Sequence, residues 1–117
     1  MIKHRHLAAL LFAATLAPAF AHGTLETASP KNGATLSTPP SEIRLKFNEP
    51  LEPMFTSLKL FGPSGQEVPT AEKAHVEDGK TVVLRLPTLA PGGYKAQWMS
   101  VGRDGHHLHG ELAFTVK

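Results

Sequence analysis

The stretch Tyr94-Lys95-Ala96-Gln97-Trp98-Met99-Ser100-Val101 has the two-residue alternation of a β-strand. Tyr94, Ala96, Trp98 and Ser100 fall on one face, and the Tyr and Trp, the only ones in the chain, mark that face as the buried one. Leu89-Ala90-Pro91-Gly92-Gly93 precedes the stretch as a turn. The pattern therefore predicts a long strand with one face in a core.

Working outward, the remaining apolar runs are also short and are separated by turn residues, with nothing that resembles a long amphipathic helix. Val68 and Ala74-His75-Val76 could each add a short edge strand, and Asp78-Gly79 is a hairpin turn signal. Six or seven strands at this spacing predict an all-β fold, a single Greek-key β-barrel or sandwich of Ig-like or cupredoxin-like type. The other predicted strands are Leu25 to Ala28, Ile43 to Phe47, Ser57 to Phe61, Thr81 to Leu86 and Glu111 to Val116.

The N-terminus has the pattern of a secretory signal peptide. Lys3 and Arg5 precede the uncharged apolar run 7–16, and Ala19-Phe20-Ala21 supplies small residues for cleavage. The run is shorter than the roughly 20 apolar residues that span a bilayer, which argues against a retained membrane anchor. We expect residues 1–21 to be removed, so that 22–117 form one exported domain beginning at His22.

Charge and cysteine content exclude several classes of function. Without Lys3 and Arg5, ten Lys and Arg residues balance ten Asp and Glu residues, and the basic ones are scattered. A nucleic-acid-binding domain needs clustered basic residues, so that class of partner is not expected. Because the chain has no cysteine, it can form no disulfide, no zinc–thiolate site and no blue-copper centre.

The segment Arg103-Asp104-Gly105-His106-His107-Leu108-His109-Gly110 concentrates potential metal ligands. If it runs extended, Asp104 and His106 share one face and His107 and His109 the other. The alternative is an ordinary Asp-Gly turn with an incidental histidine. Two ligands do not make a tight site, so a second source of ligands is needed.

His22 as a first residue would supply that second source. Its free α-amine and its imidazole Nδ1 could close a chelate ring on one ion, and the amine pKa of about 8 permits metal to displace its proton. With His106 this gives three nitrogens, and Asp104 can add an oxygen. Cu(II) prefers such a set, although Zn²⁺ could use the same ligands less tightly. A first residue can also be an ordinary disordered terminus.

Residues spread over 22–117 resemble the CopC copper-resistance family of small periplasmic copper-binding proteins. The resemblance rests on order and spacing, since no single motif is diagnostic. Its elements are His22 after the signal peptide, Ser29-Pro30 with Gly33, Leu45-Lys46-Phe47-Asn48-Glu49-Pro50-Leu51, Gly93-Tyr94 leading to Trp98, and Asp104-Gly105-His106 with Gly110 and Phe114.

This resemblance implies a seven-stranded Greek-key β-barrel that binds one Cu(II) per chain through His22, Asp104 and His106. Glu49 is implied to lie at or beside the metal. The expected role is a periplasmic carrier or buffer, not embedded in the membrane after processing, that hands copper to a CopD-like inner-membrane transporter in copper homeostasis or resistance.

The chain departs from the family at several positions. Arg103 and His107 stand where many members have serine and proline, and Arg103 could pair with Asp104 or Glu49 and weaken coordination. Some members hold Cu(I) in a methionine-rich loop, but Met54 and Met99 are far apart in this sequence, so no thioether Cu(I) site is predicted. We expect His107 and His109 to face solvent or support the site, and His75 to be a surface residue of an edge strand.

Two alternatives to a carrier remain open at this point. A copper-dependent monooxygenase also uses an N-terminal histidine chelate with a second histidine, but the short chain and the buried Trp and Tyr offer no flat aromatic surface for a polymer. The chain is therefore expected not to be an enzyme. A metal-independent Ig-like interaction module is the other alternative.

Overall fold

The computed structural model describes residues 24–117, which form two four-stranded β-sheets. The first sheet has the strand order β1-β3-β6-β5 and the second β2-β8-β7-β4. The bounds are β1 Leu25–Ser29, β2 Ala34–Leu36, β3 Glu42–Phe47, β4 Ser57–Phe61, β5 His75–Glu77, β6 Thr81–Arg85, β7 Gly92–Val101 and β8 His107–Val116, with one 3-10 helix at Pro53–Phe55.

The alternating strands bury their apolar faces between the two sheets. In β7, Tyr94, Ala96 and Ser100 are buried and Trp98 is half-buried, as the alternation predicts. Side chains from both sheets join one core, which includes Phe47 and Phe114. The all-β sandwich prediction is therefore confirmed. The two sheets of residues 24–117 do not close into a barrel.

The described residues contain eight strands rather than about seven, because Ala34–Leu36 was not predicted. This three-residue strand pairs in parallel with Phe114 to Val116 of β8. It is too short to show an alternation pattern. No helix within residues 24–117 is long and apolar enough to cross a membrane.

Strands β7 and β8 form a long antiparallel hairpin, whose register runs from Gly92 opposite Val116 to Val101 opposite His107. Strand β8 thus begins at His107, four residues before the predicted start at Glu111. The hairpin connection, residues 102–106, lies against the segment after β3, where Leu51 bridges Gly102 and the Glu52 N–H donates to Val101 O at 2.9 Å. This end of the sandwich carries the candidate site.

Candidate metal centre

Asp104 and His106 come together through a tight turn. The Gly105 N–H donates to Gly102 O at 2.8 Å, the Gly102 N–H to His106 O at 2.9 Å, and Gly105 has a φ of +86°. Few residues other than glycine adopt that backbone conformation readily. The expectation that strand alternation places Asp104 and His106 on one face is therefore wrong, since the extended backbone begins only at His107.

The turn holds the two side chains in contact. The His106 N–H donates to Asp104 Oδ1 at 3.0 Å, and His106 Nδ1 lies 3.0 Å from Asp104 Oδ2. A carboxylate that hydrogen-bonds one imidazole nitrogen fixes the ring orientation, as carboxylates do for metal-binding histidines. Each carboxylate oxygen keeps a further lone pair after one such bond, so Asp104 can both orient His106 and act as a ligand.

Glu49 approaches the same turn from the segment after β3. The Arg103 N–H donates to Pro50 O at 3.2 Å, which ties the two segments together. Glu49 Oε1 is buried and has no hydrogen-bond partner within residues 24–117. A buried polar atom without a partner is costly, and a carboxylate oxygen more so. This orphaned oxygen suits a cation as its partner.

Gly102 lets the two carboxylates approach each other. A β-carbon placed on Gly102 would collide with Glu49 Oε1 and would lie 2.9 Å from Asp104 Oδ1. Both oxygens therefore face the space that a side chain at position 102 would fill. Any larger residue there would have to displace at least one of them.

The start of the described chain lies next to Glu49. The Thr24 N–H donates to Asn48 Oδ1 at 2.8 Å, and the Asn48 N–H donates to Thr24 O at 3.1 Å. The predicted ligand His22 lies outside the described residues. Within residues 24–117, no three His, Asp or Glu side chains lie close enough to hold a metal ion by themselves.

The other histidines of residues 24–117 and Arg103 are exposed. His107 and His109 are exposed on β8, and His75 is exposed on the edge strand β5, as expected. The Arg103 side chain is exposed and makes no ion pair within the described part of the chain. The pairing of Arg103 with Glu49 or Asp104, which the sequence left open, is therefore not made among these residues.

Sequence reasoning assigned no role to Gly102 or to Asn48. The role of Asn48 depends on the register that places Leu25 opposite Phe47 in the β1–β3 pair, and no local pattern reports that register. Gly102 matters because the Glu49 carboxylate approaches its α-carbon, and Glu49 is far from Gly102 in the sequence. The only sequence feature that could have indicated Gly102 is its position directly after a predicted strand.

Comparison with known proteins gives consistent matches over nearly the whole described chain. The family model of the CopC domain matches residues 25–117. Copper resistance protein C from Xanthomonas campestris pv. juglandis is 35% identical over 117 residues, covering 92% of this chain and 91% of that protein. The crystal structure of CopC from Methylosinus trichosporium OB3b has a TM-score of 0.76 at 28% identity, covering 82% of this chain and 94% of that one.

A third relative is much longer than this chain. Copper transport protein CutJ from Bacillus subtilis (strain 168) is 30% identical over 99 residues, which are 83% of this chain but 18% of CutJ. The similarity therefore concerns one segment of that protein. Since the family model and a full-length relative both match over most of the sequence, the chain belongs to the CopC family.

Proposed function

We propose that this protein is a periplasmic copper carrier that binds one Cu(II) ion through His22, Asp104 and His106, with Glu49 beside the metal. The single observation that carries the proposal is the buried Glu49 Oε1, which has no hydrogen-bond partner within residues 24–117. It faces Gly102 together with Asp104 Oδ1. Such an oxygen gains most from a neighbouring cation, and a bound metal ion supplies that charge.

The hydrogen bonds between Thr24 and Asn48 support a role for His22 as a metal ligand. Two hydrogen bonds hold Thr24 to Asn48, because the Thr24 N–H donates to Asn48 Oδ1 and the Asn48 N–H donates to Thr24 O. Asn48 directly precedes Glu49. Two residues of extended chain span at most about 7 Å. This short reach supports the proposal that His22 is a ligand at the end of the sandwich that carries Glu49.

The proposed donor set favours copper over harder ions. A first-residue His22 offers an amine and an imidazole nitrogen, and His106 offers a second imidazole. Nitrogen-rich tetragonal sets suit Cu(II), which also binds more tightly than Zn²⁺ in the Irving–Williams order. The names of relatives that refer to copper resistance and copper transport support the same cargo.

The proposal also includes export of the protein to the periplasm and delivery of its copper to a transporter. The signal-peptide pattern in residues 1–21 supports a periplasmic location and a new N-terminus at His22. In CutJ, a segment similar to this chain is part of a much longer protein named for copper transport. That arrangement supports delivery of copper from this protein to a CopD-like inner-membrane transporter, and a carrier role in place of an enzymatic one.

Substitution of the described ligands tests the proposal. We expect His106→Gln and Asp104→Asn, made in the protein that begins at His22, to weaken Cu(II) binding at least about tenfold, as measured by competition with a chromogenic chelator. His75→Gln is the matched control, because His75 is an exposed histidine on the first sheet. Equal affinity in His106→Gln and His75→Gln would overturn the proposal.

A further inference from the structure

Strand β8 has an open edge over its first half, residues 107–112. On the side away from β7, β2 pairs only with the end of β8, from Phe114 to Val116. No other strand within residues 24–117 pairs with β8 on that side. An open edge presents N–H and C=O groups that can pair with a strand of another chain.

The backbone groups that face this edge belong to alternate residues. Ala113 marks the pattern, because its N–H donates to Asn32 Oδ1 at 2.9 Å and its C=O accepts the Gly33 N–H at 2.7 Å. In an antiparallel ladder, the N–H and C=O groups of every second residue point to the same side. Those of His107 and His109 therefore face the open edge as well.

The side chains of His107 and His109 lie together on the outer face of the second sheet. Both are exposed, on the face of β8 opposite to its buried residues. Their α-carbons are two residues apart on one strand, which is about 6.7 Å. The next residue on this face, Glu111, lies 3.9 Å from Lys95 as an ion pair, so the two imidazoles are the donors without a charged partner on this part of the strand.

The ligand chemistry indicates zinc. Imidazole nitrogen binds Zn²⁺ at about 2.0–2.1 Å, and a zinc site made only of protein ligands is almost always tetrahedral with four of them. The edge of one chain supplies two imidazoles, and no three His, Asp or Glu side chains of the described chain lie close enough to hold a metal ion. A complete site at this edge therefore needs ligands from a second chain.

Pairing of two β8 edges across a two-fold axis supplies those ligands. An antiparallel register that sets Leu108 opposite the second copy's Leu108 also sets His107 opposite the second copy's His109, and the reverse. The residues whose backbone groups face the edge then oppose each other, as ladder hydrogen bonds require, with α-carbons about 5.5 Å apart. Four imidazoles thus surround one point on the outer face of the joined sheets.

We infer that the open edge of β8 is a zinc site shared by two copies of this protein, in which His107 and His109 of each copy hold one Zn²⁺ between them. The backbone pairing involves only residues 107–109 of each strand, because residues 102–106 form the turn. So short a ladder falls far below the roughly 1,200 Å² of a stable interface, and the dimer therefore depends on the metal. The site uses none of the residues proposed for Cu(II), so it does not depend on that proposal.

Analytical ultracentrifugation of the protein that begins at His22, with and without Zn²⁺, tests the inference. Zn²⁺ should convert the monomer to a dimer, and EDTA should reverse the change. His107→Gln and His109→Gln should each weaken the Zn²⁺-dependent dimer at least about tenfold. His75→Gln is the matched control, because His75 is an exposed histidine on the first sheet. A protein that stays monomeric with Zn²⁺, or equal dimerisation in His109→Gln and His75→Gln, would overturn the inference.

Cobalt substitution then reports the coordination of the shared ion. Co²⁺ absorbs visible light much more strongly in a tetrahedral site than in an octahedral one. The Co²⁺-loaded dimer should show the tetrahedral spectrum, and the double variant His107→Gln, His109→Gln should lose both this spectrum and the dimer. A dimer with only octahedral Co²⁺ would contradict the four-imidazole site. Asp104→Asn should weaken Cu(II) binding and leave the Zn²⁺-dependent dimer unchanged, so the two proposals can fail independently.

Discussion

The Glu49 carboxylate packs against the α-carbon of Gly102, at the place where any other residue would carry its β-carbon. Asp104 Oδ1 lies 2.9 Å from the same place. The missing side chain at position 102 thus keeps open a space that two carboxylates share. In the proposed site, this space lets Glu49 stand beside a metal that Asp104 and His106 bind.

Gly102→Ala should lower Cu(II) affinity at least about tenfold, the usual cost of disturbing a group that supports a metal ligand. The new methyl group would push the Glu49 side chain away, and because that side chain is flexible at its far end, the loss of folding stability should be small. Isothermal titration and urea unfolding measure the two effects. Gly93→Ala is the control, since a β-carbon at Gly93 meets no atom within 4 Å. Unchanged copper affinity in Gly102→Ala would refute the role of this contact.

Glu77 should make folding stability depend on pH at the edge of the first sheet. Its carboxylate is hydrogen-bonded by His75 Nε2 at 3.1 Å and by the Arg44 guanidinium at 2.6 Å, and these two contacts lower the Glu77 pKa. A carboxylate with a lowered folded-state pKa stabilises the fold above its unfolded-state pKa, and the contribution is lost as pH falls through the folded-state value.

Glu77→Gln should therefore reduce the free energy of unfolding at neutral pH, and the difference from the wild type should shrink as the pH is lowered to about 3. Urea unfolding at both pH values measures it. Glu67→Gln provides the comparison, because Glu67 is exposed and forms no ion pair within residues 24–117. A stability difference that stayed constant between the two pH values would contradict the contribution assigned to Glu77.

Gly110 should be intolerant of a side chain for a different reason. It pairs with Trp98 across β7 and β8, and a β-carbon on Gly110 would collide with the indole ring. Trp98 also meets Phe47 edge to face at a centroid distance of 6.4 Å, so the ring cannot move without disturbing that contact. Gly110→Ala should destabilise the fold by about 1–3 kcal/mol and change the fluorescence of this single Trp. Stability equal to that of Gly93→Ala would contradict this packing.

The fold was predictable wherever alternation extended over several residues. Ser57–Phe61 has the predicted bounds, and the buried face of Tyr94, Ala96 and Ser100 follows from a period of two. Ala34–Leu36 was not predictable, because three residues carry no period and its pairing with β8 is long-range.

The site was predictable in its residues but not in its local geometry. Asp104 and His106 do lie together, yet the positive φ of Gly105 makes a turn where an extended segment was expected. Glu49 Oε1 is buried and has no partner among residues 24–117, and its burial depends on the contact of two segments far apart in sequence. Only the family resemblance pointed to Glu49, and no local property of the sequence did.

The most direct test of the proposed copper site is a Cu(II) titration, followed by electron paramagnetic resonance, of two forms of the protein. One begins at His22, and the other has a single alanine ahead of His22. The first form should bind one tight equivalent in a nitrogen-rich environment. The second should bind at least about tenfold more weakly, because its His22 backbone nitrogen is an amide that must lose its proton before it can bind the ion. Equal affinity and equal spectra in the two forms would contradict the account.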